Sequence, residues 1–434
     1  LANSAPAWTN WARTASSTPD QILAPSSTAE VARIVADAAA AGQRVKAVGA
    51  GHSFTQIAVT DGVLLRLTSM NAILHVDRLT HRVRVQAGIS LHELNPKLHA
   101  LGLALPNLGD VDPQSVAGAT STGTHGTGGK LFGISKAVVG VQLVTASGDV
   151  IEIDESHPWF GAARVSLGAL GIITEVTLQC VPAFLLHARE EPMALPDVMG
   201  QLDQLVGDND HFEFYWFPHT TKALVKRNNR VADGTAPKPL GKFKFWLEDQ
   251  FLSNNVFEVI NRVSARKPSW IPAINSFSGS ALSAREFIDE SYNVFVSPRR
   301  VRFRESEFAM PREALPDVIR ELTAWFDRGA GLVSFPIEVR FTAADDVWLS
   351  TGHERDNCYV AVHQYWRNDY ADYFKAAQDI FTAHQGRPHW GKLHTLDASY
   401  FSGVYARFDD FVAIRDQADP GRVFTNDYLN RVLG

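Results

Sequence analysis

The sequence predicts an α+β protein in two units, and three observations carry that expectation. Its 434 residues exceed the length one core usually serves. Residues 28–181 read as short helices and short strands interleaved with glycine-rich loops. After Pro182 the chain becomes richer in aromatics and in long alternating strands, with amphipathic helices at about 311–326 and 370–385. That second pattern suits a large antiparallel sheet with helices on one face.

The elements follow in order. Residues 29–41 have helix-forming composition, with Ser27 or Thr28 as cap and Gly42 as stop. Strands are expected at 44–47, 63–67 and 82–86, the last alternating as Arg-Val-Arg-Val-Gln. A helix over 91–101 ends at Gly102, and the Ser147-Gly148-Asp149 turn separates strands at 137–145 and 150–153. A glycine-containing turn at 168–171 opens a long strand towards Val181. In the second unit, strands are expected at 211–217, 331–342 and 359–366, a solvated hairpin at 222–230 and a loop at 233–242. The predicted units are 1–182, 183–399, and a final segment 400–434 packing back on the first.

Composition narrows the function classes. Hydrophobic residues make up 45% and charged residues 20%, ordinary for a soluble enzyme. The net charge of −6, with no basic stripe or tail, argues against a nucleic-acid partner. Cys180 and Cys358 are the only cysteines and have no metal-site spacing, so no metal is expected. No apolar run reaches the ~18 residues of a membrane span, and a cytoplasmic location is the expectation.

Two glycine-rich runs mark a candidate ligand site. Ala47, Val48, Gly49, Ala50, Gly51, His52 and Ser53 follow a predicted strand. Glycines there allow backbone amides to close on a pyrophosphate without Cβ interference. A glycine pair after a strand is by itself usually a tight turn. The second run, 118–129, holds five glycines and four threonines in twelve residues. It makes poor helix and poor core, but suits a backbone lying against a large polar ligand. His52 is either a structural histidine or a nucleophile placed among small residues, and His125 reads as a hydrogen-bonder of the second loop. Neither run ends in Gly-Lys-Ser/Thr, so a nucleoside-triphosphate site is not expected.

A third constellation lies in the second unit. With period two, Glu338 and Arg340 share one face of a strand, opposite Phe335, Ile337, Val339 and Phe341. They are either a cross-strand ion pair or site residues. His363 and Tyr365 project together on the same reasoning, away from Val360, Val362 and Trp366. Two such strands side by side would line a pocket with Glu, Arg, His and Tyr. The run Arg387-Pro-His389-Trp-Gly-Lys392 adds a cation after a proline break.

Together these residues resemble the vanillyl-alcohol-oxidase-type flavoproteins, specifically the sugar-1,4-lactone oxidases and their alditol oxidase relatives. The resemblance runs nearly full length. It rests on GAGHSF at 49–54, LALPNLGD at 103–110, SVAGATSTGTHG at 115–126, SLGALGIITEV at 166–176, IEVRF at 337–341, RPHWGK at 387–392 and DPGRVFTNDYL at 419–429. It implies a two-part FAD-binding domain plus a cap domain with a large antiparallel sheet and flanking helices.

That family places FAD on a covalent bond to His52. It implies that Ala47–Ser53, Asp110, Ser115, Gly118, Thr122, Gly123, Thr124, His125, Gly171, Ile172 and His389 hold the cofactor. Glu338, Arg340 and Lys392 would be catalytic, with Asp110, His363 and Tyr365 also meeting the substrate. The implied reaction is hydride transfer from a carbinol carbon to flavin N5, followed by reoxidation by dioxygen or another acceptor. Alditol oxidases have serine at the place of Asp110 and threonine at that of Tyr365. Both departures favour a sugar lactone over a polyol as substrate. Gly109 stands where a bulkier residue in some relatives screens the flavin from oxygen.

Overall fold

The computed structural model describes residues 7–241, 256–297, 300–329 and 331–434. Local signals set the first elements as expected. Ser27 caps the Thr28–Ala40 helix by accepting from the Glu30 amide, and Gly42 follows with φ +68°. Ser90 and Glu93 form a capping box on the Leu91–Ala100 helix.

Two sheets build the first unit. Gln21–Leu23, Val63–Arg66 and Val45–Val48 pair in parallel, in that spatial order. The second sheet is antiparallel, in the order Val150–Asp154, Val138–Val144, Ile172–Gln179, Arg82–Gln86 and Ile73–Asp77. The core between them reaches beyond the first unit. Trp390, Phe401, Phe411, Phe424 and Val432 are buried in the same cluster as Val31, Val83 and Leu143. The C-terminal helices thus pack on the first unit.

The cap is one eight-stranded antiparallel sheet. Its order is Arg285–Glu290, Leu185–Ala194, Lys222–Arg230, His211–Trp216, Ile337–Thr342, Asn357–Tyr365, Phe303–Pro311 and Arg387–Pro388. Period-two alternation divides its central strands into two unlike faces. Phe212, Phe214, Val339, Phe341, Val360, Val362 and Phe308 form one buried apolar cluster. Val318 and Leu322 of the Leu315–Asp327 helix and Phe374 and Phe381 of the Ala371–Ala383 helix cover it. The opposite face carries Glu213, Tyr215, Glu338, Arg340, His363, Glu305 and Glu307, and their chemistry is described below.

Two expectations are corrected. Lys222–Arg230 is an interior strand between Leu185–Ala194 and His211–Trp216, not a solvated hairpin. Ala223 and Val225 enter the apolar cluster, while Lys226 lies 3.9 Å from Glu190 and 3.7 Å from Glu213 on the flanking strands. Its charges are matched across the sheet, which the local run of basic residues conceals. The strand expected from 331 begins only at Ile337, because Pro336 has no N–H to give a ladder. The loop at 233–242 is anchored by Lys238 bridging to Ile288, and residue 242 lies outside the described residues. Among the described residues no helix is long and apolar enough to cross a membrane.

Candidate active site

A cavity of about 510 Å³ opens between the two sheets of the first unit. Residues 47–53, Ser115, Gly118, Thr122, Gly171 and Ile172 line it, joined by Lys46, Gly88 and the turn 166–168. Among the described residues, the amides of Ala50, Gly51, His52 and Ser53 donate to no protein acceptor, which leaves a row of unclaimed N–H groups on residues of the cavity wall. Close packing requires glycine at Gly88, where a Cβ would stand 1.7 Å from the Leu67 carbonyl oxygen. An elongated cavity with unclaimed backbone donors fits the diphosphate of a dinucleotide.

The polar face of the cap sheet supplies the ionisable groups. Arg340 forms an ion pair with Glu338 on its own strand. It also lies 3.0 Å from Glu213 and 3.4 Å from Asp110. Tyr215 donates to Glu338 at 2.9 Å. Burial opposes the Arg340 charge, but Glu338, Asp110 and Glu213 outweigh it and raise the guanidinium well above its ordinary value.

Lys392 forms a second centre, pairing with Glu305 and lying 4.0 Å from Glu307. Burial disfavours its ammonium, yet the two carboxylates raise its pKa above the usual lysine value. In turn, Lys392 and His363 outweigh burial at Glu305 and hold that carboxyl down to about 2. His363 joins the two centres, with Nε2 at 3.4 Å from Glu305 and 4.0 Å from Glu338.

The two units meet where the Gly-Ala-Gly-His-Ser loop touches the His-Trp-Gly-Lys loop. The Phe54 amide donates to the Gly391 carbonyl at 2.6 Å, and Thr55 Oγ1 donates to the Trp390 carbonyl at 3.2 Å. Lys392 Nζ stands 5.4 Å from the Phe54 ring centre. Burial and then Lys392 push the His52 imidazole below its ordinary pKa, with Asp112 opposing. The shift favours the neutral imidazole, the form whose ring nitrogen lone pair can act as a nucleophile.

His125 is buried, stacks on Tyr359 at 3.7 Å, and lies with Nε2 3.4 Å from Glu307. It faces the cap sheet, as does His389, 5.8 Å away, whose pKa burial lowers to about 3. Thr124 Oγ1 accepts from Gln114, and Gly123, at φ +75°, begins the turn into that segment. Asp110 stands at Arg340. Tyr365 ends its strand opposite Phe303, whose ring lies 5.2 Å from the His363 ring, and donates its hydroxyl to Glu258 at 2.8 Å.

Sequence reasoning missed Glu213, Tyr215, Glu305 and Glu307. The signal was present for the last two, because Phe303–Pro311 alternates carboxylates with Ser306 and Phe308 as Glu338 and Arg340 alternate with valine and phenylalanine.

Comparison with known proteins gives this geometry its family. A model of an FAD binding domain matches residues 19–154, and a model of D-arabinono-1,4-lactone oxidase matches residues 176–432. The chain belongs to the D-arabinono-1,4-lactone oxidase family. It is an FAD-dependent oxidoreductase. It is 44% identical to L-gulono-1,4-lactone dehydrogenase of Mycobacterium tuberculosis, over 99% of both chains. It is 37% identical to L-gulonolactone oxidase of Bos taurus, over 98% of this chain and 97% of that one. It is 33% identical to alditol oxidase of a Streptomyces species, over 98% of each. The crystal structure of cholesterol oxidase from B. sterolicum superposes with a TM-score of 0.83 at 18% identity, covering 99% of this chain and 96% of that one, a likeness of fold.

Proposed function

We propose that this family member oxidises an aldono-1,4-lactone, of the L-gulono-1,4-lactone kind, at the C2 carbinol. The product would be of the ascorbate type, and dioxygen would be the acceptor, giving hydrogen peroxide. The observation that carries the reading is the meeting of the His52 loop with the Lys392 loop, whose partner Glu305 is joined through His363 to the Arg340–Glu338 pair. FAD, held by the 47–53 loop, Ser115, Gly118, Thr122 and Ile172, supplies the two-electron acceptor.

The chain's own groups supply orientation and charge. Lys392 and Arg340 stay protonated, so they act as hydrogen-bond donors to a sugar oxygen as negative charge develops on it. Glu338 and Glu305 accept from hydroxyls, and both lie close to His363 Nε2. A proton lost from the carbinol has its acceptor in that set. The imidazole of His52, whose pKa is shifted down, would carry the covalent bond to the flavin. The deciding experiment is initial rates on gulonolactone, galactonolactone and xylitol. Faster turnover of a lactone is expected, and faster xylitol turnover would replace the lactone with a polyol.

A further inference from the structure

A second pocket, of about 350 Å³, lies on the far side of His52 and takes no part in the chemistry above. Trp11 connects the two places. Its indole stacks on the His52 ring at 5.5 Å and 27°, and it also lines the pocket beside Arg302, Trp366 and Arg367. Three guanidinium groups crowd one indole, with Arg13, Arg302 and Arg367 at 5.6, 5.3 and 4.2 Å from the Trp366 ring centre.

None of these three cations has an ion pair with a carboxylate among the described residues. The carboxylate lining the pocket, Glu258, is engaged by Arg262 at 2.8 Å and by the Tyr365 hydroxyl at 2.8 Å. Arg302 Nε is buried without a partner. Burial and then Arg13 push the Arg302 guanidinium below its ordinary value, a like-charge repulsion that a bound anion would relieve. Arg13 itself sits at φ +58°, a conformation that favours glycine or asparagine, and it is held there over Trp366. A cluster of unmatched arginines on a chain of net charge −6 calls for an anionic ligand. The two indoles select a flat one, and the volume selects a small molecule rather than a protein.

We propose that the pocket between Trp11 and Trp366, lined by Arg302 and Arg367 with Arg13 over the Trp366 ring, binds a planar conjugated organic anion that serves as an electron acceptor. In a turnover that uses this acceptor in place of dioxygen, the two electrons and two protons taken from the sugar carbinol reduce it from A to AH2. Trp11 and His52 lie between the pocket and the cofactor cavity. The acceptor role rests on the oxidase reading above, whereas the binding does not.

The test uses holoenzyme and the anionic dye 2,6-dichlorophenolindophenol. Equilibrium dialysis without sugar should show one dye bound per chain, with affinity falling as salt rises. In Arg302→Gln/Arg367→Gln, with flavin content and circular dichroism as in the parent, affinity should fall roughly tenfold or more. With sugar present, the variant's KM for the dye should rise in step. Dioxygen consumption and reduction of the cationic phenazine methosulfate should stay at parent values. Equal dye binding by parent and variant overturns the site. Lost binding with an unchanged KM for the dye overturns the acceptor role, as does a parallel fall with all three acceptors. Failure of the lactone reading shows differently, as no bleaching of the flavin by any lactone while dye binding stands.

Discussion

The ammonium of half-buried Lys392 and the carboxylate of buried Glu305 form an ion pair between the His-Trp-Gly-Lys loop and the cap sheet. The pair keeps the ammonium protonated against burial, and His363 shares the same carboxylate. Because Glu305 raises the Lys392 pKa, Glu305→Gln should lower it. The variant should lose activity as pH rises through a range where the parent keeps it. A pH–rate profile of flavin reduction checks this, and superimposable alkaline limbs would count against the pairing as a functional one.

His52 gives a prediction that needs no substrate. Acid-precipitated parent protein should stay yellow, and the His52→Ala variant should release its flavin to the supernatant. A parent that also releases its flavin would rule out the covalent bond.

Gly88 tests the cavity wall. A Cβ there meets the Leu67 carbonyl oxygen at 1.7 Å and that of Met70 at 2.9 Å. Both are backbone atoms, so the strand and loop must move. Gly88→Ala should cost on the order of 2 kcal/mol or more of stability and reduce flavin retention. Thermal unfolding and the flavin-to-protein absorbance ratio measure the two effects.

Much of the first unit was legible locally, because caps and stop signals such as Ser27 and Gly42 act over one helical turn. Glu338 and Arg340 were legible as a pair because alternation in so apolar a strand places both on one face. The partners of that pair were not legible. Glu213, Tyr215 and Asp110 reach Arg340 and Glu338 only through sheet order and unit packing. The same blindness made Lys222–Arg230 read as solvated, when its charge is matched from strands on either side. The Tyr365 partner was not legible either, since Glu258 lies on a helix, 107 residues earlier in the chain.

Acid sensitivity follows from buried histidines. Burial lowers His389 and His394 to about 3 and His211 to about 4, against an ordinary 6.5. Between those values and 6.5 the unfolded chain binds more protons, so stability rises with pH across that window and is lost as pH falls from 6.5. The melting temperature should therefore fall on acidification from pH 6.5 towards 4. His394→Phe, remote from the ionic cluster, should flatten part of that slope. A slope unchanged in this variant would remove His394 from the account.

Anaerobic reduction of the bound flavin by L-gulono-1,4-lactone, followed in a stopped-flow spectrophotometer, measures whether the cap sheet's ionic cluster acts in the reaction. The parent should bleach. Lys392→Ala and Glu338→Ala should carry FAD but bleach roughly 100-fold more slowly or worse. Parent-like bleaching in both variants would remove the cap sheet's ionic cluster from the reaction.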